Sequence, residues 1–212
     1  MRNWRFNHID FSTYSCYDGK DLGVFWAPEK TVIKIWAPTA KMVELRLYKD
    51  GKSGETFHKT NLQQSGGGTW SIILVGDYEN KFYTFRINDD EWLNEIPDIY
   101  ARCVGVNGKR GMIFNPLKTN PQNWENDKGP RLKSFTEAVI YETHVRDFSV
   151  SENSGINNKG KFLGFTEENT TSKKGSLTGL AHLKELGITH VHLLPVNDFF
   201  TINEEKPFEK YN

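Results

Sequence analysis

The sequence predicts an all-β, immunoglobulin-like sandwich followed by the first βαβ unit of an incomplete α/β TIM barrel. Short runs that alternate apolar and polar residues, separated by turn chemistry, fill positions 30–115. A stretch rich in Asn and Pro interrupts them, and after Pro130 the pattern changes to strand, loop, helix and strand. A closed (β/α)8 barrel takes roughly 250 residues and carries its chemistry on the loops after all eight strands. Residues 131–212 supply two such strands, so an active site of that kind is not expected within them.

The elements follow in order. Residues 1–29 form an N-terminal segment without clear period, and residues 30–115 form the sandwich. Thr31-Val-Ile-Lys-Ile-Trp36 and Met42-Val-Glu-Leu-Arg-Leu-Tyr48 alternate as strands, and Lys49-Asp-Gly51 closes the second. Gly66-Gly-Gly68 precedes the strand Trp70-Ser-Ile-Ile-Leu-Val75. Lys81-Phe-Tyr-Thr-Phe-Arg-Ile87 comes next, and the Asn88-Asp-Asp90 turn leads to Glu91-Trp-Leu93 as a returning strand. Trp36 and Trp70, inside alternating strands, read as core. Residues 116–130 are a linker. Beyond it, strands at Ala138-Val-Ile-Tyr-Glu-Thr143 and Thr189-His-Val-His-Leu-Leu194 flank a polar loop and a helix. Ser176 is its expected N-cap, Gly187 its stop, and Leu177, Leu180, Leu183 and Leu186 its buried stripe. A right-handed crossover leaves the two strands parallel, with unpaired edges. This half is expected to pack on the sandwich through its helix, to self-associate through the unpaired strands, or to be only partly ordered.

Lys and Arg together number 27, as do Asp and Glu, so no net positive field exists to hold a nucleic acid. No segment approaches the ~20 apolar residues that span a bilayer, and the N-terminus lacks a signal-peptide core, so a cytoplasmic location and no membrane partner are expected. Cys16 and Cys103 stand far apart without metal-ligand spacing and read as free thiols. No cofactor is implied.

Several motifs agree in order with one family. Tyr17-Asp-Gly-Lys-Asp-Leu-Gly23, Lys34-Ile-Trp-Ala-Pro-Thr-Ala40, the stretch from Tyr100 to Gly111, Tyr141-Glu-Thr-His-Val-Arg-Asp-Phe148 and Leu177-Thr-Gly-Leu-Ala-His-Leu-Lys-Glu-Leu-Gly187 resemble the front of type I pullulanases. These belong to the alpha-amylase superfamily of glycoside hydrolases. Lys210-Tyr-Asn212 resembles the approach to the family's Tyr-Asn-Trp-Gly-Tyr-Asp-Pro signature, which makes Tyr211 and Asn212 candidate substrate-binding residues. The resemblance implies hydrolysis of α-1,6 branch linkages in pullulan, glycogen or limit dextrin, with two carboxyl groups about 5 Å apart as nucleophile and acid/base. In the family these come from later barrel strands, so no residue of this chain inherits a catalytic role. Residues 131–212 correspond to the start of the barrel, and the chain alone is expected to be inactive.

The sandwich resembles the starch- and glycogen-binding module found in front of debranching and branching enzymes, which makes α-glucan the implied partner. By its place after the Asn88-Asp-Asp90 turn, Trp92 matches a tryptophan that stacks on glucose; a domain-packing role is the other reading. A non-catalytic α-glucan-binding module is the alternative for the chain as a whole. His190-Val-His192 puts two imidazoles on one strand face, as some zinc sites begin, but no further ligands follow and they read as barrel-wall residues. Glu142 and Asp147 read as structural carboxylates; Asp147 is expected to pair with an arginine or cap a loop.

Overall fold

A computed structural model describes residues 10–129, 131–194, 196–197 and 203–205, except Asp90 and the side chain of Trp92. It divides into two units, 1–122 with 200–212 and 123–199.

The first unit is a pair of four-stranded sheets around one core. β1 (Gly23–Ala27), β2 (Lys30–Trp36), β5 (Gln63–Ser65) and β6 (Thr69–Val75) form one, ordered β1-β2-β6-β5. β3 (Val43–Tyr48), β4 (His58–Asn61), β7 (Phe82–Ile87) and β8 (Gly111–Met112) form the other, ordered β4-β3-β7-β8, and every pairing in both is antiparallel. The period-2 alternation sets the faces: Ile33 and Ile35 of β2 meet Val43, Leu45 and Leu47 of β3 in a single apolar cluster. Register stacks large side chains opposite one another, Ile35 beside Trp70 on the first sheet and Leu45 beside Phe85 on the second. The sheets therefore begin at Gly23, ahead of the strands that the sequence singled out.

Two expectations are corrected here. Trp36 is not core: counting by twos from the buried Ile33 and Ile35 puts it on the outward face with Lys34, and it is 36% exposed. Its indole N–H is held by the carbonyls of Ser15 (2.9 Å) and Gly67 (3.1 Å). Trp70 is core, 7% exposed, its N–H donating to the Ala37 carbonyl at 3.1 Å. The segment Glu91–Leu93 is a 3-10 turn rather than a strand, and the chain that returns from it meets β7 first through an isolated bridge between Phe85 and Ile96. Asn88 closes this end in the left-handed region (φ 54°), its side-chain oxygen accepting from the N–H groups of Lys41 (2.7 Å) and Met42 (3.2 Å).

The second unit contains β9 (Ile140–His144) and β10 (His190–Leu194) as a two-stranded parallel sheet, with the helix α1 (Gly179–Glu185) between them in the chain. The helix is shorter than expected. Its N-cap is Thr178, not Ser176, because the Thr178 hydroxyl and N–H are tied back to Ser154 and Thr170. Of the expected stripe, Leu183 is buried, whereas Leu177 and Leu186 lie outside the helix and are exposed.

Candidate pocket on the sandwich

Strand β1 and the irregular stretch that follows the Phe85–Ile96 bridge bound a pocket of about 120 Å³. Phe25 and Trp26 come from β1, Tyr83 from β7, and Tyr100, Arg102 and Phe114 from the returning chain. Gly23 permits the close approach of the two walls, since a Cβ there would stand 3.2 Å from both the Cβ and the carbonyl oxygen of Tyr100, and its φ of 98° is one that other residues rarely adopt.

One carboxylate fixes two of the aromatic rings. Asp98 accepts the Tyr83 hydroxyl at 2.8 Å and the Tyr100 N–H at 2.8 Å, and it is 7% exposed. Burial pushes the Asp98 carboxyl above its ordinary value, opposed by those two donors, and pushes the Tyr83 phenol far up, so Tyr83 remains a donor. Trp26 is oriented by its indole N–H, which donates to Asp77 at 2.9 Å. The N–H of Glu79 and then the Trp26 indole hold the Asp77 carboxyl below the usual range. The Arg102 guanidinium lies over the Phe25 ring, 5.6 Å from its centre.

Flat apolar walls beside a multidentate donor suit a ring with an apolar C–H face and an acceptor rim, as a hexose has. Drug-sized sites run from about 300 Å³ upward, so this pocket has room for a single ring rather than an extended chain. Asp98 stands behind the walls, committed to its two donors, and no carboxylate is among the described residues that line the pocket.

The residues chosen from sequence lie elsewhere. The backbone of Trp92 sits in the Glu91–Leu93 turn, while its side chain, and all of Tyr211 and Asn212, lie outside the described residues. Glu142 and His192 face each other across β9 and β10 at 3.0 Å, both 59% exposed. His190 is also exposed and shares a 2.8 Å hydrogen bond with the Thr189 hydroxyl, so neither imidazole is packed as a wall residue. Asp147 pairs with Arg146 at 3.2 Å. Among the described residues no three His, Cys, Asp or Glu side chains converge as a metal site would require, and no helix is long and apolar enough to cross a membrane. Phe25, Tyr100 and Arg102 escaped the sequence reading; the signal was the apolar run of Gly23-Val-Phe-Trp-Ala27 ahead of position 30.

Residues 21–101, which include most of the pocket walls, match the family model of carbohydrate-binding module 48, the isoamylase N-terminal domain. The chain is 45% identical over 200 residues to a pullulanase of Bacillus subtilis, an alignment covering 92% of this chain and 26% of that protein. It is 32% identical to the chloroplastic pullulanase 1 of Arabidopsis thaliana, covering 90% and 20% respectively. Among solved structures, the pullulanase of Paenibacillus barengoltzii in complex with maltohexaose and alpha-cyclodextrin superposes with a TM-score of 0.84 at 45% identity, covering 91% of this chain and 29% of that one. The pullulanase of Bacillus acidopullulyticus gives 0.86 at 40%, covering 92% and 24%. The chain thus spans between 20% and 29% of the length of these relatives. Over about nine-tenths of its own length the chain is similar in sequence and fold to pullulanases, and residues 21–101 within that length match the model of carbohydrate-binding module 48.

Proposed function

We propose that this chain supplies the glucan-binding sandwich and the opening βαβ unit of the barrel in a pullulanase-type debranching hydrolase that cleaves α-1,6-glucosidic linkages. The observation that carries this reading is the 45% identity to the Bacillus subtilis pullulanase, which runs through both units rather than stopping at the sandwich. The parallel pairing of β9 with β10, with a helix between them in the chain, is what the start of such a barrel requires. Division into a lead-in at 1–29, sandwich at 30–115, linker at 116–130 and barrel start from 131 belongs to the same proposal, adjusted by the inclusion of β1 in the sandwich. So does self-association through the outer edges of the two-stranded sheet.

Binding of α-glucan is the activity these residues can supply by themselves. Two platforms are proposed: the Phe25–Tyr100–Arg102 pocket and Trp92, with Tyr211 and Asn212 as further substrate contacts of the whole enzyme. Purified residues 1–212 should release no reducing ends from pullulan, because positioning alone cannot replace the nucleophile and acid/base. Hydrolysis above the blank would overturn this reading. The same chain should be retarded in native gels containing glycogen. Phe25→Ala or Tyr100→Ala should reduce the retardation several-fold if the pocket is the platform, and Trp92→Ala should do so if the turn is. Full retardation in all three would remove both sites.

A further inference from the structure

Two loops at one end of the sandwich are laced into a rigid platform. Arg110, almost fully buried, donates from Nη1 to the carbonyls of Asp50 and Ser53, both at 2.8 Å, and from Nη2 to Gly54 at 3.0 Å. Its guanidinium lies 3.6 Å from the centre of the Tyr48 ring. Gly105 presses on Gly51 so closely that a Cβ on Gly105 would stand 2.4 Å from the Gly51 carbonyl oxygen. The hydrogen bond from Gly105 N–H to the Arg110 carbonyl (2.8 Å) and that from Gly108 N–H to the Gly105 carbonyl (3.0 Å) close the second loop. At its tip Asn107 adopts the left-handed region, φ 56°.

The segment Asn203-Glu204-Glu205 belongs to the same unit and sits on the platform. The Glu204 carboxylate accepts the Asn107 N–H at 2.6 Å, and the Glu204 N–H donates to Asn107 Oδ1 at 2.9 Å. Asn107 Nδ2 donates to Asn203 Oδ1 at 3.2 Å, and the Glu205 carboxylate pairs with Lys52 at 3.4 Å. We infer that the loop pair 50–54 and 105–109 is a preformed receptor for a short acidic segment, and that its resident occupant is Asn203-Glu204-Glu205 of the same chain. The recognition is two-way: one backbone N–H, one side-chain amide and one ammonium on the receptor each meet an oxygen of the segment, while the segment's own N–H is returned to the receptor. Such reciprocal pairing fixes direction and register, which a surface ion pair alone cannot do.

Asn107→Gly makes a clean test, because glycine keeps the left-handed backbone while deleting both side-chain bonds. In the full chain, hydrogen exchange of the amides at 203–205 and 105–108 should accelerate about tenfold in Asn107→Gly, which removes two neutral hydrogen bonds, and in Glu204→Ala, which removes the charge-assisted one. Amides of β3 and β7 should keep their original rates, which establishes that both variants are folded. Lys52→Glu should accelerate exchange at 205, and the double variant Lys52→Glu with Glu205→Lys should restore it. Exchange at 203–205 as fast as in a free peptide, or unchanged in Asn107→Gly and Glu204→Ala, would overturn the inference. So would a charge-swapped double variant as fast as the Lys52→Glu single variant.

Discussion

Asp98 is the carboxyl on which the pocket walls depend, and its chemistry can be read in stability. Burial raises its folded value above the 3.8 of the unfolded chain, so the folded state holds that proton more tightly. The contribution therefore favours the folded state below pH 3.8 and is lost as pH rises through the raised folded value. Asp98→Asn keeps an oxygen for the Tyr100 N–H and should flatten this step, seen as a smaller fall in Tm across that window than in the parent. Asp98→Ala strands the Tyr83 hydroxyl and the Tyr100 N–H and should cost about 2–4 kcal/mol below pH 3.8 and less as pH rises, measured by urea unfolding. Trp36 and Trp70 show what the sequence could and could not say at this scale. Their alternating neighbours already separate them, since Ile33 and Ile35 must point inward and Trp36 follows at odd spacing. Residue type overrode position in the reading, and large aromatics are core often enough to make that error easy. Asp98 had no such signal: nothing in Pro97-Asp-Ile-Tyr100 shows that a tyrosine from β7 stands above the carboxyl.

Strands were legible wherever both faces differ, which is why β2, β3, β6 and β7 agree with their sequence runs to within a residue or two. β4 and β8 were not, because His58–Asn61 carries no apolar alternation and Gly111–Met112 has only two residues. Each is held by its neighbour's ladder rather than by its own pattern. The loop from β9 to α1 was read as polar and irregular, yet it is tightly built. The Glu167 carboxylate accepts from the backbone N–H of both Asn157 (2.8 Å) and Asn158 (2.7 Å), which holds its pKa below the usual carboxylate range, and Phe148 stacks on Phe165 at 3.9 Å. Gly155 is its tightest point. A Cβ there would stand 2.1 Å from the Thr171 carbonyl oxygen, and its φ is 66°. Gly155→Ala should destabilise this element by about 1–3 kcal/mol, visible as faster hydrogen exchange at 154–158 and 170–178 with the sandwich amides unchanged. The same pinning accounts for the helix boundary: once Thr178 is bonded to Ser154 and Thr170, the first turn cannot start at Ser176.

The two units differ in how much apolar surface they remove from water. Among the described residues, Val145, Ile156 and Leu183 are the buried apolar side chains of the second unit, whereas the first buries Tyr83, Phe85, Ile33, Leu45, Leu47 and several more in one cluster. Each fully buried aliphatic or aromatic side chain contributes about 1.5–3 kcal/mol, and ordering each residue costs about 1–2 kcal/mol of backbone entropy. Three such side chains cannot offset the ordering of 123–199, and the sheet that should gather them has only two strands, with Ile140 and Val191 left exposed. A sheet of two parallel strands is below what holds its shape in water. Residues 10–122 expressed alone should therefore unfold in one cooperative transition, while 123–199 expressed alone should show no cooperative transition and rapid proteolysis. In the intact chain, limited proteolysis should cut first beyond residue 123 and leave a resistant β core. A cooperative melt of 123–199 in a verified monomer would mean that its two strands are satisfied without the remaining strands of a barrel, and the proposed role of this unit as a barrel's opening would then fail.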